Sequence, residues 1–152
     1  MTIGWAVVST GRHPYQKMAP AINAAADSEI VGVVSRDRDR AESFASKHHA
    51  RTAYVDFDEM LCDPAVDVVY LASPNFLHAQ QAVKAAQAGK HVLWEKPMAL
   101  TMEEAHRMVD ACKKHDFRLG VGFHLRFHPG HQARREAAQA GVLGTIAFAQ
   151  AQ

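Results

Sequence analysis

Six short apolar runs that do not alternate with polar residues constrain this chain more than any other feature. They are IGWAVVS (3–9), EIVGVVS (29–35), RTAYV (51–55, the weakest), DVVYLAS (67–73), HVLW (91–94) and RLGVGF (118–123). A strand with one wet face reads apolar, polar, apolar; a continuous apolar run implies burial on both faces, as in a parallel sheet. Parallel neighbours need crossover connections, and helical patterns fill the gaps between the runs. Asp56 with Glu59, and Thr101 with Glu104, have the spacing of capping boxes, and Gly89 sits where a helix end wants a left-handed residue. Ala105, Met108, Val109 and Cys112 repeat at i, i+3, i+4, i+7, which predicts one buried helix face. The alternation predicts a doubly wound α/β fold with a mostly parallel sheet over residues 1–141.

The tail reads differently. In AGVLGTIAFAQAQ, Gly141 and Gly144 flank a turn, and a strand is expected to begin at Thr145 with no neighbour to pair with. Residues 142–152 are therefore read as the start of a second, truncated α/β domain.

Charge and length narrow the function. A chain of 152 residues supports a real core, burying about 68–70% of its unfolded surface by the usual scaling. Its 17 Lys and Arg nearly cancel its 16 Asp and Glu, so no overall field recruits nucleic acid or an anionic membrane. No run approaches the roughly 18 apolar residues of a membrane span, and the N-terminus lacks the basic and small-residue features of a signal peptide. A cytoplasmic protein is expected. Cys62 and Cys112 lie far apart, outside metal-ligand spacing and within apolar helical patterns, and both are read as reduced core thiols.

Ligands of doubly wound sheets bind outside the carboxyl ends of the strands, where strand order reverses. The first such end is STGRHP, in which Gly11 holds the middle position of a dinucleotide-binding glycine loop and Ser9 and Pro14 replace the other two glycines. Ser9, Thr10 and nearby amides are donors, and Arg12 and His13 add positive charge, so an anion site is expected. The second end is VVSRDRDR. An NAD enzyme usually places a carboxylate here for the ribose hydroxyls; Ser35 and Arg36 instead suit a 2′-phosphate, favouring NADP, while Asp37 leaves NAD open. A solvated first helical turn is the plainer account of Arg36 to Arg40. At the fourth end Ser73, Pro74 and Asn75 supply hydroxyl, bend and amide, Asn75 also suits a helix N-cap, and His78 faces either core or crevice. At the fifth end, WEKP, two charges follow a buried strand and gain nothing from packing there, so Lys96 is expected to project into the crevice.

Together STGRHP, VVSRD, DVVYLASPNFLH, AGKHVLWEKPMALT and GVGFHLRFHP resemble the N-terminal Rossmann-type domain of the Gfo/Idh/MocA family of NAD(P)-dependent oxidoreductases. The resemblance covers essentially the whole chain. It implies that Glu95 contacts cofactor and ribose, that Lys96 is catalytic, touching the ribose and relaying protons to a substrate hydroxyl, and that Pro97 fixes the turn aiming it. FHLRFHP then borders the nicotinamide pocket, making Arg126 a cofactor- and substrate-side residue and His124 a substrate-side one. The substrate implied is a sugar or polyol. Family members also carry a second domain that supplies most of the pocket and the homo-oligomer interface, so this chain alone is expected to be inactive. The reading from another class is a noncatalytic NAD(P)-binding sensor or assembly module.

His124, His128 and His131 have a spacing that could bind zinc on one helix face. Pro129 interrupts that helix and no carboxylate or thiol joins the set. No metal site is expected.

Overall fold

The computed structural model describes residues 2–150. The chain forms two compact units, one ending at Gly122 and the other beginning at Phe123.

The first unit contains a single sheet of six parallel strands: β1 (Ile3–Val8), β2 (Ser28–Val34), β3 (Thr52–Tyr54), β4 (Val68–Leu71), β5 (His91–Trp94) and β6 (Leu119–Val121). Their order is β3-β2-β1-β4-β5-β6, so the chain reverses its direction of travel between β1 and β4. The helices are α1 (Ala19–Ala24), α2 (Arg38–His48), α3 (Phe57–Leu61), α4 (Asn75–Gln87) and α5 (Met102–Lys114). Each of the six apolar runs forms a strand. The cause is visible in β1 and β2, whose successive residues go to opposite cores. Ala6, Val8 and Val31 pack with Ala79, Ala82 and Ala85 of α4 and Met108 of α5, while Val7, Ile30 and Val33 pack with Ile22 of α1 and Phe44 of α2.

Helix ends follow their local chemistry. Asp56 Oδ1 accepts from Glu59 N at 2.8 Å and Thr101 Oγ1 from Glu104 N at 3.2 Å. The reciprocal arm of the second box reaches Leu100 N, at 3.0 Å, one residue before the cap. Gly89 has φ +76°, which lets Lys90 N return to Ala85 O at 2.9 Å as α4 ends. In α5, Met108 and Cys112 are buried, as the periodicity predicts.

Four local readings change. Asn75 is not the N-cap of α4: Pro74 occupies that position, without a side-chain bond, and Asn75 begins the helix. Cys62 is exposed at the end of α3 rather than in the core, because that helix stops one residue earlier; Cys112 is buried. The segment after Gly11 is helical from Arg12, with Tyr15 N donating to Gly11 O at 3.1 Å. It widens to a π-turn over Pro14–Met18, just before Pro20, which has no N–H to give to the Gln16 carbonyl. The strand expected from Thr145 does not form among the described residues.

The second unit holds a 3₁₀ turn (His124–Phe127) and α6 (Pro129–Gln139). Proline begins this helix rather than interrupting one, and His128 caps it, its Nδ1 accepting from Gly130 N at 3.1 Å. His124 lies in the separate 3₁₀ turn, so the three histidines do not share a helix face.

Candidate nucleotide-binding crevice

The carboxyl ends of β1, β2 and β4 open into a cleft of about 330 Å³. Its polar lining comes from Ser9, Thr10, Ser35, Arg36, Asp37, Arg40, Ser73 and Gln81, its apolar lining mainly from valines, Pro74, Phe57, Phe76 and Leu77. An apolar slot with a few convergent polar groups suits a flat base joined to an anion.

The first loop reaches this cleft through an unusual backbone. Ser9, which replaces the first glycine, has φ +102°, a conformation that normally demands glycine. Its Oγ accepts from Gly11 N at 3.2 Å, a local bond that helps hold the residue there and removes the Gly11 amide from the available donors. A Cβ on Gly11 would meet only Ser9 Oγ, at 3.4 Å, so the backbone here lies open to a ligand. The Arg12 and His13 amides begin the helix and have no intrahelical acceptor. Their side chains turn away from the anion role: Arg12 Nε donates to Gln16 Oε1 at 3.1 Å and His13 Nε2 lies 3.0 Å from Glu95 Oε1.

At the end of β2, the Ser35 hydroxyl accepts from Thr10 Oγ1 at 3.5 Å and from Asp37 N at 3.3 Å. Its own proton is left to donate into the cleft, as an anionic ligand requires. Asp37 is the N-cap of α2, its Oδ1 accepting from Arg40 N at 3.1 Å, so the carboxylate that leaves NAD open is partly committed to the helix. Arg40, read from the sequence only as part of a solvated first helical turn, stands beside Arg36 in the cleft lining. Arg36 precedes the Asp37 cap and Arg40 lies in the first turn of α2, so it is the fold of the β2–α2 connection, not helical spacing, that brings both to the cleft.

Ser73 donates its hydroxyl to Gln81 Oε1, a group the sequence reading missed. Asn75 is exposed. His78 corrects an expectation, being 1% exposed with Nε2 2.9 Å from Ser73 O and Nδ1 3.2 Å from Pro97 O. Neither ring nitrogen faces a ligand. The side chain ties the loop after β4 to the turn after β5.

That turn carries Glu95, Lys96 and Pro97, with a cis Lys96–Pro97 peptide. Glu95 is mostly buried, and its Oε1 accepts from Tyr70 Oη at 2.8 Å. Tyr70 is fully buried in β4, and burial, then the neighbouring carboxylate, hold its phenol far above the ordinary 10.0; it remains a hydrogen-bond donor at any physiological pH. A Cβ on Gly122 would stand 3.1 Å from Glu95 Oε1, so a residue without a side chain makes room for the carboxylate. Lys96 Nζ lies 4.0 Å from Glu95 Oε2, and its side chain is 55% exposed. His124 and Arg126 are exposed on the 3₁₀ turn of the second unit. The first unit thus brings Ser9, Thr10, Ser35, Arg36, Ser73 and Pro74 to one cleft, and His13, Glu95 and Lys96 to a neighbouring cluster. No group of three or more metal-ligating side chains occurs among the described residues. No helix among them is long and apolar enough to cross a membrane.

Comparison with known proteins agrees with this geometry. The chain is 34% identical over 140 residues to 1,5-anhydro-D-fructose reductase of Ensifer adhaerens, covering 92% of this chain and 42% of that protein. It is 42% identical over 103 residues to an NADP(+) scyllo-inositol 2-dehydrogenase of Bacillus subtilis, covering 68% of this chain and 31% of that one. A 3-ketoreductase from Actinomadura kijaniata, solved in complex with NADP, superposes with a TM-score of 0.89 at 29% identity, over 96% of this chain and 46% of that one. The chain spans less than half the length of these relatives. The family model described as the oxidoreductase family GFO_IDH_MocA, NAD-binding Rossmann fold, matches residues 3–123, and the chain belongs to that family.

Proposed function

We propose that this chain is the cofactor-binding part of an NADP(H)-preferring oxidoreductase acting on the hydroxyl or carbonyl carbon of a sugar or polyol. The observation that carries the cofactor preference is the end of β2. There the Ser35 hydroxyl, with its proton free to donate, and the Arg36 and Arg40 side chains line one cleft, while Asp37 caps α2. A guanidinium makes strong charge-assisted bonds to phosphate, and a carboxylate already accepting from an amide competes less well for ribose hydroxyls. Relatives whose names carry NADP support the same preference.

In this reading Ser35, Arg36 and Arg40 hold the 2′-phosphate. Thr10 and the Arg12 and His13 amides, reached over the open Gly11 backbone, hold the pyrophosphate, with Ser73 and Pro74 along the opposite wall. When bound, the dinucleotide supplies the hydride donor or acceptor, which no amino-acid side chain provides. Lys96 holds or moves a proton at Nζ beside the substrate oxygen, and Glu95 fixes where that ammonium stands. The relatives' substrates, an anhydrofructose and an inositol, support a polyhydroxylated substrate.

Calorimetry on the purified chain tests this. NADPH should bind more tightly than NADH, and Arg36→Ala should remove roughly 1.5–3 kcal/mol of that preference, the worth of a hydrogen bond to a charged group. Equal affinities in the unmutated chain would contradict it, and a reversed preference would make Asp37 the ribose acceptor.

A further inference from the structure

The cofactor reading leaves His13 without a role, because its ring faces a carboxylate rather than the cleft. We infer that His13 is a positioning residue for Glu95, coupling the loop after β1 to the Glu95–Lys96 turn; the inference rests on the cofactor reading above. Glu95 Oε1 has neighbours from two other strand ends: it accepts from Tyr70 Oη at 2.8 Å, from β4, and His13 Nε2 lies 3.0 Å from it, at the start of the first helix. Oε2 is left toward Lys96 Nζ at 4.0 Å. The site of Gly122, where a Cβ would lie 3.1 Å from Oε1, limits where the carboxylate can stand. One carboxylate therefore joins three strand ends, and of the two groups beside Oε1, His13 is 48% exposed where Tyr70 is fully buried.

The arrangement has an electrostatic consequence. Without the imidazole beside Oε1, the Glu95 carboxylate is freer to turn toward the helix start where the pyrophosphate would bind, and like charges in a partly buried site disfavour binding. With it, Oε1 is kept between Tyr70 and His13, and Oε2 is left toward Lys96. The His13 side chain thus raises cofactor affinity indirectly, without itself touching the cofactor, and the gain exists only while residue 95 is a carboxylate.

A double-mutant cycle separates this from a general structural role. His13→Ala should weaken NADPH binding by about tenfold, the scale of coupling within one hydrogen-bonded network. His13→Gln, whose amide can donate from nearly the same place as Nε2, should stay within about twofold of the unmutated chain. In the Glu95→Gln background, His13→Ala should change affinity by less than about twofold, since no charge remains to be held. Adenosine 2′-monophosphate, which lacks the pyrophosphate, should bind all five proteins alike. Equal losses from His13→Ala in both backgrounds, or no loss in either, would overturn the inference. A chain that binds neither ligand would instead overturn the cofactor reading. The pairing is then read without ligand by NMR: Glu95→Gln should move the His13 imidazole nitrogen resonance, and an unmoved resonance would refute it.

Discussion

β5 is flanked by two lysines, and their ammonium groups have opposite fates. Lys90, before the strand, is 8% exposed and donates to Asp63 O and Val66 O, both at 2.8 Å. Lys96, after it, is 55% exposed and has one carboxylate oxygen at 4.0 Å. The same contrast runs along the sheet. At the amino edge Gly4 N donates to Asp67 Oδ2 at 2.8 Å, and the Asp63 carboxylate, accepting from Ala65 N and Tyr54 Oη, is held below the usual carboxylate range. At the carboxyl edge Ser35, Arg36, Arg40 and Lys96 face the cleft or solvent with donors in reserve. The amino edge satisfies its polar groups with the fold itself; the carboxyl edge keeps its groups for something else.

Exchanging the two lysines' roles is the strongest way to break this contrast. In a protein extended through a complete second domain, Lys96→Met should lower kcat by roughly 10²–10⁴-fold, the scale of a lost acid/base contribution, with cofactor affinity within about tenfold. Steady-state kinetics check it. A near-normal kcat would remove Lys96 from the chemistry, and no turnover of any sugar or polyol by the unmutated extended protein would favour the sensing alternative. Lys90→Met should do the reverse. It strips the donor from two buried carbonyls, so urea denaturation should show a loss of about 2–4 kcal/mol, against about 0.5 kcal/mol or less for Lys96→Met. Similar losses from the two substitutions would erase the distinction between the edges.

A smaller effect sharpens the comparison where the edges meet, at Tyr70. Its phenol titrates near its ordinary 10.0 only when unfolded, because burial first and Glu95 second raise the folded value. A raised folded value means the contribution is fully present below pH 10 and lost as pH rises beyond it, at up to about 1.4 kcal/mol per pH unit. Stability measured from pH 9 upward should therefore fall in the unmutated chain and fall less steeply in Tyr70→Phe. Identical slopes would mean the phenol is not confined as described.

How much of this was legible follows from the same contrast. Strands and caps were readable because their causes are local: unbroken apolar runs, an Asp or Thr three residues before a free amide, a glycine at a left-handed helix end. Lys96 was readable because a charge after an apolar strand has no packing reason to be there. Tyr70 was not, since inside DVVYLAS it reads as one more core residue, and its partner Glu95 lies 25 residues away on the neighbouring strand. The one available hint was chemical: a tyrosine in a buried strand must find a partner for its hydroxyl. His78 left two faces open on periodicity alone, and two backbone carbonyls from separate loops decided between them. Asn75 lost the cap position to Pro74 by one residue, a shift that helix propensities do not resolve. The strand expected at Thr145 shows the limit of local pattern: a strand exists by pairing, and the segment has no partner strand among the described residues.

The central claim is that the carboxyl edge, and not the amino edge, is the nucleotide site. Titrating NADPH into the ¹⁵N-labelled chain while following backbone amide resonances tests it directly. The account predicts saturable shifts at Gly11, Ser35, Arg36, Ser73 and Lys96, with Gly4, Asp63, Gly89 and Lys90 unmoved. Shifts confined to the amino edge, or to the groove between α4 and α5 lined by Phe76, Lys84 and Arg107, would contradict it, as would a spectrum that NADPH leaves unchanged.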